Sequence, residues 1–138
     1  MTLDEVLNNS TYIIYDGLYN VAKTEPYFKG DGCFLITKDE IETTVIYEHS
    51  LKFDGIVEEK KDYVLVGINV AVPFYAPGFI AKISSEFANN GISVLVISTY
   101  SRDYFLVSIE FKDMVDNVLG KLGIKPTQKE AEDNGTVV

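Results

Sequence analysis

The chain has 138 residues, 46% of them hydrophobic, with 21 Asp and Glu against 12 Lys and Arg and a formal net charge of −9. That is enough apolar material for one compact domain or two small fused subdomains. It is also too acidic a balance for a nucleic-acid or anionic-membrane partner, since both need Lys and Arg to meet phosphate.

The single cysteine, Cys33, excludes an intramolecular disulfide and fits a reducing compartment. No apolar run approaches the roughly 18–20 residues of a membrane-spanning helix. Met1 to Asn9 carries Asp4 and Glu5 and lacks a basic start followed by an apolar run, so no signal peptide is read there. A soluble cytoplasmic protein is expected.

Taken in order, Thr2 and Glu5 make a capping pair for one short helical turn before Asn9. Thr11 to Val21 reads as a strand rich in Tyr and Ile, with a bend at Asp16-Gly17. Lys23 to Lys29 is a connection, because Pro26 excludes a regular strand interior, and Gly30-Asp31-Gly32 is a turn. Cys33 to Thr37 and Ile41 to Tyr47 read as a hairpin about the charged turn Lys38-Asp39-Glu40. Glu48 to Phe53 is read as one helical turn, and Glu58-Glu59-Lys60-Lys61 as a solvated loop.

From Tyr63 the pattern sharpens. Val64, Val66, Ile68, Val70 and Val72 alternate with their neighbours, which predicts a strand with one buried face. Pro73 and Pro77 stop it. Gly78 to Asn90 is predicted helical, with Ile80, Ile83 and Phe87 on one face and Gly91 suited to the left-handed position that ends a helix.

Ile92 to Tyr100 shows little polar alternation and reads as a central strand covered on both faces. Ser101-Arg102-Asp103 turns it, and Tyr104 to Phe111 returns. Val115, Val118, Leu119 and Leu122 make the stripe of a second helix over Asp113 to Leu122, ended by Gly123 and followed by Pro126. Thr127 to Val138 is polar and patternless, a mobile tail.

The order from Tyr63 is β-α-β-β-α, a ferredoxin-like unit lacking its final strand. Its exposed edge has to be covered by the first half or by a second chain. The element order of the first half suggests a degenerate copy that shares or exchanges a strand with the second.

Enzyme chemistry finds little footing. His49 is the only histidine, and Glu48-His49-Ser50 are sequence neighbours rather than a relay. Cys33 sits in a predicted strand and reads as a small core residue. No Cys/His spacing suits a metal, and no phosphate-binding glycine motif occurs. No cofactor is expected.

Three runs carry a resemblance: Gly78-Phe79-Ile80-Ala81, Gly91-Ile92-Ser93-Val94, and Ile97-Ser98-Thr99-Tyr100-Ser101-Arg102-Asp103-Tyr104-Phe105-Leu106-Val107. Together they resemble the ACT-domain superfamily, and within it the small tandem proteins of the branch related to cytosolic arginine sensors. The resemblance covers about Tyr63 to Leu122, and Thr11 to Tyr47 by element order alone. It implies an α+β fold of ferredoxin-like ACT modules in tandem, mainly antiparallel sheet with helices on one face. It divides the chain into a degenerate first module over 1–62, a second over 63–124 and a flexible tail over 125–138.

The resemblance further implies a small ligand, an amino acid in most relatives, at a module interface. The implied ligand positions are Pro77, Gly78 and Phe79 from the loop, with Ser98, Thr99, Tyr100 and Asp103 from the second strand and its turn. The acid usual early in the first loop is replaced here by Val72-Pro73-Phe74-Tyr75. These residue types suit the chemistry: a helix N-terminus favours a carboxylate, and Asp103 is an acceptor for an ammonium. Against this stands the plainer reading, in which Gly78 starts a helix, Ser98 and Thr99 satisfy strand-end backbone and Asp103 pairs with Arg102.

The expected function is a non-enzymatic regulatory sensor acting through a homodimer or a regulated protein partner. The rival is a ligand-free interaction module. Arginine is not singled out as the ligand.

Overall fold

The first helix forms because its cap is written into the sequence. In the computed structural model, which describes residues 1–71 and 76–127, α1 (Leu3–Asn9) starts at Thr2. The Thr2 hydroxyl accepts from the Glu5 N–H at 3.2 Å, and the Glu5 carboxylate accepts from the Thr2 N–H at 2.9 Å. Two donors that a helix start leaves unpaired are thereby satisfied. Val6 and Leu7 are the face it buries. The readings made for Val72-Pro73-Phe74-Tyr75 and for 128–138 lie outside the described residues.

The chain divides into two compact units, residues 16–64 and residues 1–15 with 65–138. The division follows from pairing. Thr11 to Val21 is not one strand. It separates into β1 (Thr11–Ile14) and β2 (Tyr19–Thr24), with Gly17 at φ +82° between them. β1 pairs with β5 (Ile56–Asn69), not with the strands that follow it in sequence. The units therefore part at 15/16 and 64/65.

In the unit of residues 16–64, β3 (Leu35–Lys38), β4 (Thr43–Glu48), β2 and the first residues of β5 lie side by side in that order, all antiparallel. Asn20, Ala22 and Thr24 face inward opposite Tyr47, Val45 and Thr43, as period two requires. Phe28, Cys33, Leu51 and Phe53 pack on the Ala22, Val45 and Tyr47 cluster. The Phe53 ring lies 4.8 Å from both Phe28 and Tyr47.

Two readings are corrected in this unit. Glu48 to Phe53 holds turns and no helix. Glu58 to Lys61 is strand, with Glu58, Glu59 and Lys60 paired to β2. Charge does not prevent this, because these residues are exposed: Glu59 accepts from the Tyr47 hydroxyl and lies 3.4 Å from Lys61 Nζ. The pairing shifts register between Tyr19 and Val21, and nearby Asp62 adopts φ +69°. The Asp62 N–H is taken by Asn20 Oδ1 at 3.1 Å.

In the other unit the strand order is β8-β1-β5, with β7 beside β5 and β6 beside β7. The elements are the last residues of β5, α2 (Phe79–Asn89), β6 (Val94–Ser98), β7 (Asp103–Ser108), a 3-10 turn (Ile109–Met114), α3 (Val115–Lys121) and β8 (Lys125–Pro126). β1 supplies the strand that the β-α-β-β-α order lacked. Phe87 of α2 packs on Phe105 of β7, with ring centroids 5.8 Å apart. The Tyr12 hydroxyl of β1 donates to Asp116 of α3. This is an α+β, ferredoxin-like arrangement.

Further expectations change here. Val64 to Ile68 is buried at every position, so both faces of this stretch are covered and not one. The reverse holds for β6. Among the described residues it pairs with β7 alone, and Leu95 and Val96 are each 41% exposed, so it is an edge and not a central strand there. Lys125 and Pro126, assigned to the tail, run parallel beside Thr11 and Tyr12, and the Thr127 N–H donates to the Tyr12 carbonyl at 2.7 Å. No helix among the described residues is long and apolar enough to cross a membrane.

Candidate functional site

Gly78 caps α2 in the left-handed conformation, φ +87° and ψ 0°. A Cβ there would have room, with Leu3 Cδ2 at 3.5 Å, so glycine is required for its backbone angle and not for space. The Lys82 N–H closes the first turn on the Gly78 carbonyl at 2.8 Å, and the Phe79 N–H reaches back to Ala76 at 3.1 Å. Phe79 is buried and anchors the turn. α2 runs for 11 residues with no side-chain cap, leaving the positive end of its dipole at residues 78–81.

Facing this helix start is the β6–β7 hairpin. Ser98 and Asp103 are register partners, and the Ser98 hydroxyl donates to Asp103 Oδ1 at 2.6 Å. The Thr99 N–H and hydroxyl both donate to the Arg102 carbonyl, at 2.9 and 3.3 Å, which closes the turn over Tyr100 and Ser101. Tyr100 is 84% exposed at its tip.

Between helix start and hairpin is a cleft of about 400 Å³, lined by residues 76–81, residues 98–103 and Val70. All seven residues singled out from the sequence line it, namely Pro77, Gly78, Phe79, Ser98, Thr99, Tyr100 and Asp103. Every lining residue belongs to the unit of residues 1–15 and 65–138. The size lies at the low end of the few hundred cubic ångströms typical of small-molecule sites.

Sequence reasoning passed over Arg102, read only as a local partner of Asp103. Among the described residues it makes no ion pair with a carboxylate; Nη1 contacts the Tyr15 hydroxyl at 3.5 Å. Asp103 takes the Ser98 hydroxyl instead. A signal was present: Arg102 is the only arginine of the chain, and no lysine lies between Lys82 and Lys112. Tyr15 leans on Tyr104, ring centroids 6.3 Å apart, over Gly67, whose hydrogen leaves the room the rings occupy. Burial first, and then Tyr104, pushes the Tyr15 hydroxyl up to about 12 although Arg102 pulls the other way.

The residues weighed for catalysis are not assembled. Burial, with Asp31 adding to it, raises the Cys33 thiol above its ordinary value, the opposite of an activated nucleophile. His49 is exposed beside Glu48, Nε2 to Oε2 3.3 Å. No group of three metal-ligating side chains occurs among the described residues.

A family model described as ACT domain matches residues 58–121. No curated protein matches the chain. Among solved structures the chain is similar to a protein of unknown function from Vibrio cholerae, at 21% identity and TM-score 0.71, over 88% of this chain and 95% of that one. It is similar to a protein from Agrobacterium tumefaciens, at 19% identity and TM-score 0.69, over 86% and 92%. A third likeness is to the ligand-free regulatory subunit of aspartate kinase from Thermus thermophilus, at 10% identity and TM-score 0.61, over 84% and 97%. At these identities the likeness is one of fold.

Proposed function

We propose that this chain is a non-enzymatic regulatory protein that binds an amino acid or a similar small metabolite in the cleft between the start of α2 and the β6–β7 hairpin. It passes occupancy to a regulated partner or a second copy in the cytoplasm, and it comprises two ACT-like modules in tandem, 1–62 and 63–124. The observation that carries the reading is the cleft itself. Two segments about twenty residues apart in sequence line one cavity that joins a helix N-terminus to the acid Asp103 and the hydroxyl-bearing residues Ser98, Thr99, Tyr100 and Ser101.

The chemistry is that of a zwitterion receptor. Asp103 accepts from the ammonium. The first turn of α2 faces the carboxylate, as helix starts do for anions. The ACT-domain match over 58–121 and the fold shared with an aspartate kinase regulatory subunit support the regulatory part. Occupancy shifts an assembly only if the ligand binds one of two states better than the other.

The test is a thermal-shift screen of the full chain against the twenty amino acids at millimolar concentration. A ligand at a hundred times its dissociation constant adds about 2.7 kcal/mol of apparent stability. An upward shift that Asp103→Ala abolishes, with an unchanged far-UV spectrum, is the expected result. A shift retained in Asp103→Ala removes the cleft from the account.

One observation favours a second reading, a ligand-free interaction module. Among the described residues β6 has a strand partner on one side only, and its other edge, Val94-Leu95-Val96-Ile97-Ser98, carries no charge, proline or bulge. Such edges pair with other chains. Sedimentation separates the two readings: oligomer size that is fixed, whatever metabolite is added, favours the module.

A further inference from the structure

The helix α1 lines no part of the cleft, yet it touches the chain at two places that do or that adjoin it. The ladder between β1 and β5 ends at the Thr11–Asn69 pair. Continued in register, Asn9 would face Ala71, but Asn9 is the last residue of α1. The Ala71 N–H is taken instead by the Ser10 hydroxyl at 3.0 Å. The same hydroxyl donates to the Val6 carbonyl in α1 at 2.7 Å, and Ser10 is 1% exposed. One side chain thus ties the end of α1 to Ala71, the neighbour of Val70 in the cleft wall.

The start of α1 meets the cleft from beneath. Leu3 Cδ2 stands 3.5 Å from where a Cβ on Gly78 would be, and Gly78 lines the cleft and caps α2. The Gly78 carbonyl accepts from the Lys82 N–H at 2.8 Å, so a shift of Gly78 moves the first turn of α2 with it. Between these contacts α1 has seven residues, which at about 1.5 Å each span about 10 Å. Its form is held by its own capping box, independently of the cleft.

From these contacts we infer that α1 is the strut of the ligand cleft, with Ser10 and Leu3 as positioning residues that set where Val70 and Gly78 stand. Neither residue lines the cleft. The inference rests on the reading of this cleft as a ligand site and deepens it. Coupling of this kind is reciprocal, so a ligand in the cleft in turn tightens the Ser10–Ala71 bond.

The experiment has two arms on the full chain, with Ser10→Ala, Ser10→Thr and Leu3→Ala. The first is amide hydrogen exchange without ligand, which reads local opening. The expected result is exchange faster by roughly tenfold or more at Phe79 and Lys82 in Ser10→Ala, as loss of a buried hydrogen bond implies, and faster exchange there in Leu3→Ala. Ser10→Thr, which keeps the hydroxyl, restores the parent rates, and Leu106 of β7 is unchanged throughout. Exchange at Phe79 and Lys82 that does not change, or that rises equally at Leu106 as a general loss of stability would make it, overturns the inference. Should Ser10→Ala fail to fold, Leu3→Ala decides on the same amides.

The second arm is isothermal titration with each of the twenty amino acids singly at millimolar concentration. For any that binds the parent, the affinity falls by roughly tenfold in Ser10→Ala and returns in Ser10→Thr. Affinity unchanged in Ser10→Ala overturns the strut and leaves the amino-acid reading standing. No binding by the parent overturns the amino-acid reading, and the exchange arm then decides the strut alone.

Discussion

Gly67→Ala tests whether the floor of Tyr15 and Tyr104 is built on a missing side chain. Gly67 lies in β5 opposite Ile13, in ordinary strand geometry, so no special backbone angle requires glycine. By itself the substitution then stabilises, because a glycine held in a strand loses about 0.5–1 kcal/mol more chain entropy than alanine. Packing opposes this. The new Cβ would stand 3.1 Å from Tyr104 Cε1 and 3.1 Å from Tyr15 Cε2, inside the roughly 3.5–4.0 Å at which carbons rest. Tyr104 is 7% exposed and has little room to retreat, while Tyr15 is tied to Arg102. Overpacking of this kind costs about 1–3 kcal/mol. The cost outweighs the gain, and a net loss of about 0.5–2 kcal/mol is expected.

The assay is urea unfolding, in which the midpoint falls while the slope is unchanged. In a Tyr15→Ala background one ring is gone, and the same Gly67→Ala change becomes neutral or stabilising. A Gly67→Ala chain as stable as its parent with Tyr15 in place refutes the packing argument.

Other outcomes follow from the same structure. The Tyr15 hydroxyl is raised to about 12 in the folded chain, so an unfolded tyrosine, near 10, loses its proton first. Its contribution is complete below pH 10 and is lost as the pH rises from 10 to 12; Tyr15→Phe flattens that decline in a midpoint-against-pH series. Asp62→Gly relieves the left-handed strain at φ +69°, worth roughly 1 kcal/mol, against a glycine entropy cost of similar size or smaller, so a midpoint equal to or above the parent's is expected. Thr2→Ala removes the capping box of α1 and lowers stability by about 1 kcal/mol, read from the same unfolding curves.

What the sequence made legible was local. Thr2 with Glu5 capped a helix, Gly91 took φ +73° after α2, and the alternation from Val64 marked β5, because each depends on near neighbours in the chain. What it hid was set by distant pairing. Val94 to Ser98 looked central because an apolar run does not say how many strands flank it, and among the described residues only β7 does. Glu58 to Lys61 looked like a loop because charge suggests solvent; the segment is exposed and still pairs with β2. The cleft residues were legible as a set through the resemblance. Arg102 was not, because its lack of a carboxylate partner becomes visible only when Asp103 is seen holding Ser98.

The most direct measurement is a two-dimensional amide NMR titration of the full chain with a mixture of the twenty amino acids at millimolar concentration. The account predicts shifts gathered at residues 76–81 and 98–103, with Gly78 and Thr99 among the largest. Unchanged spectra, or shifts gathered away from the start of α2 and the β6–β7 hairpin, would contradict it.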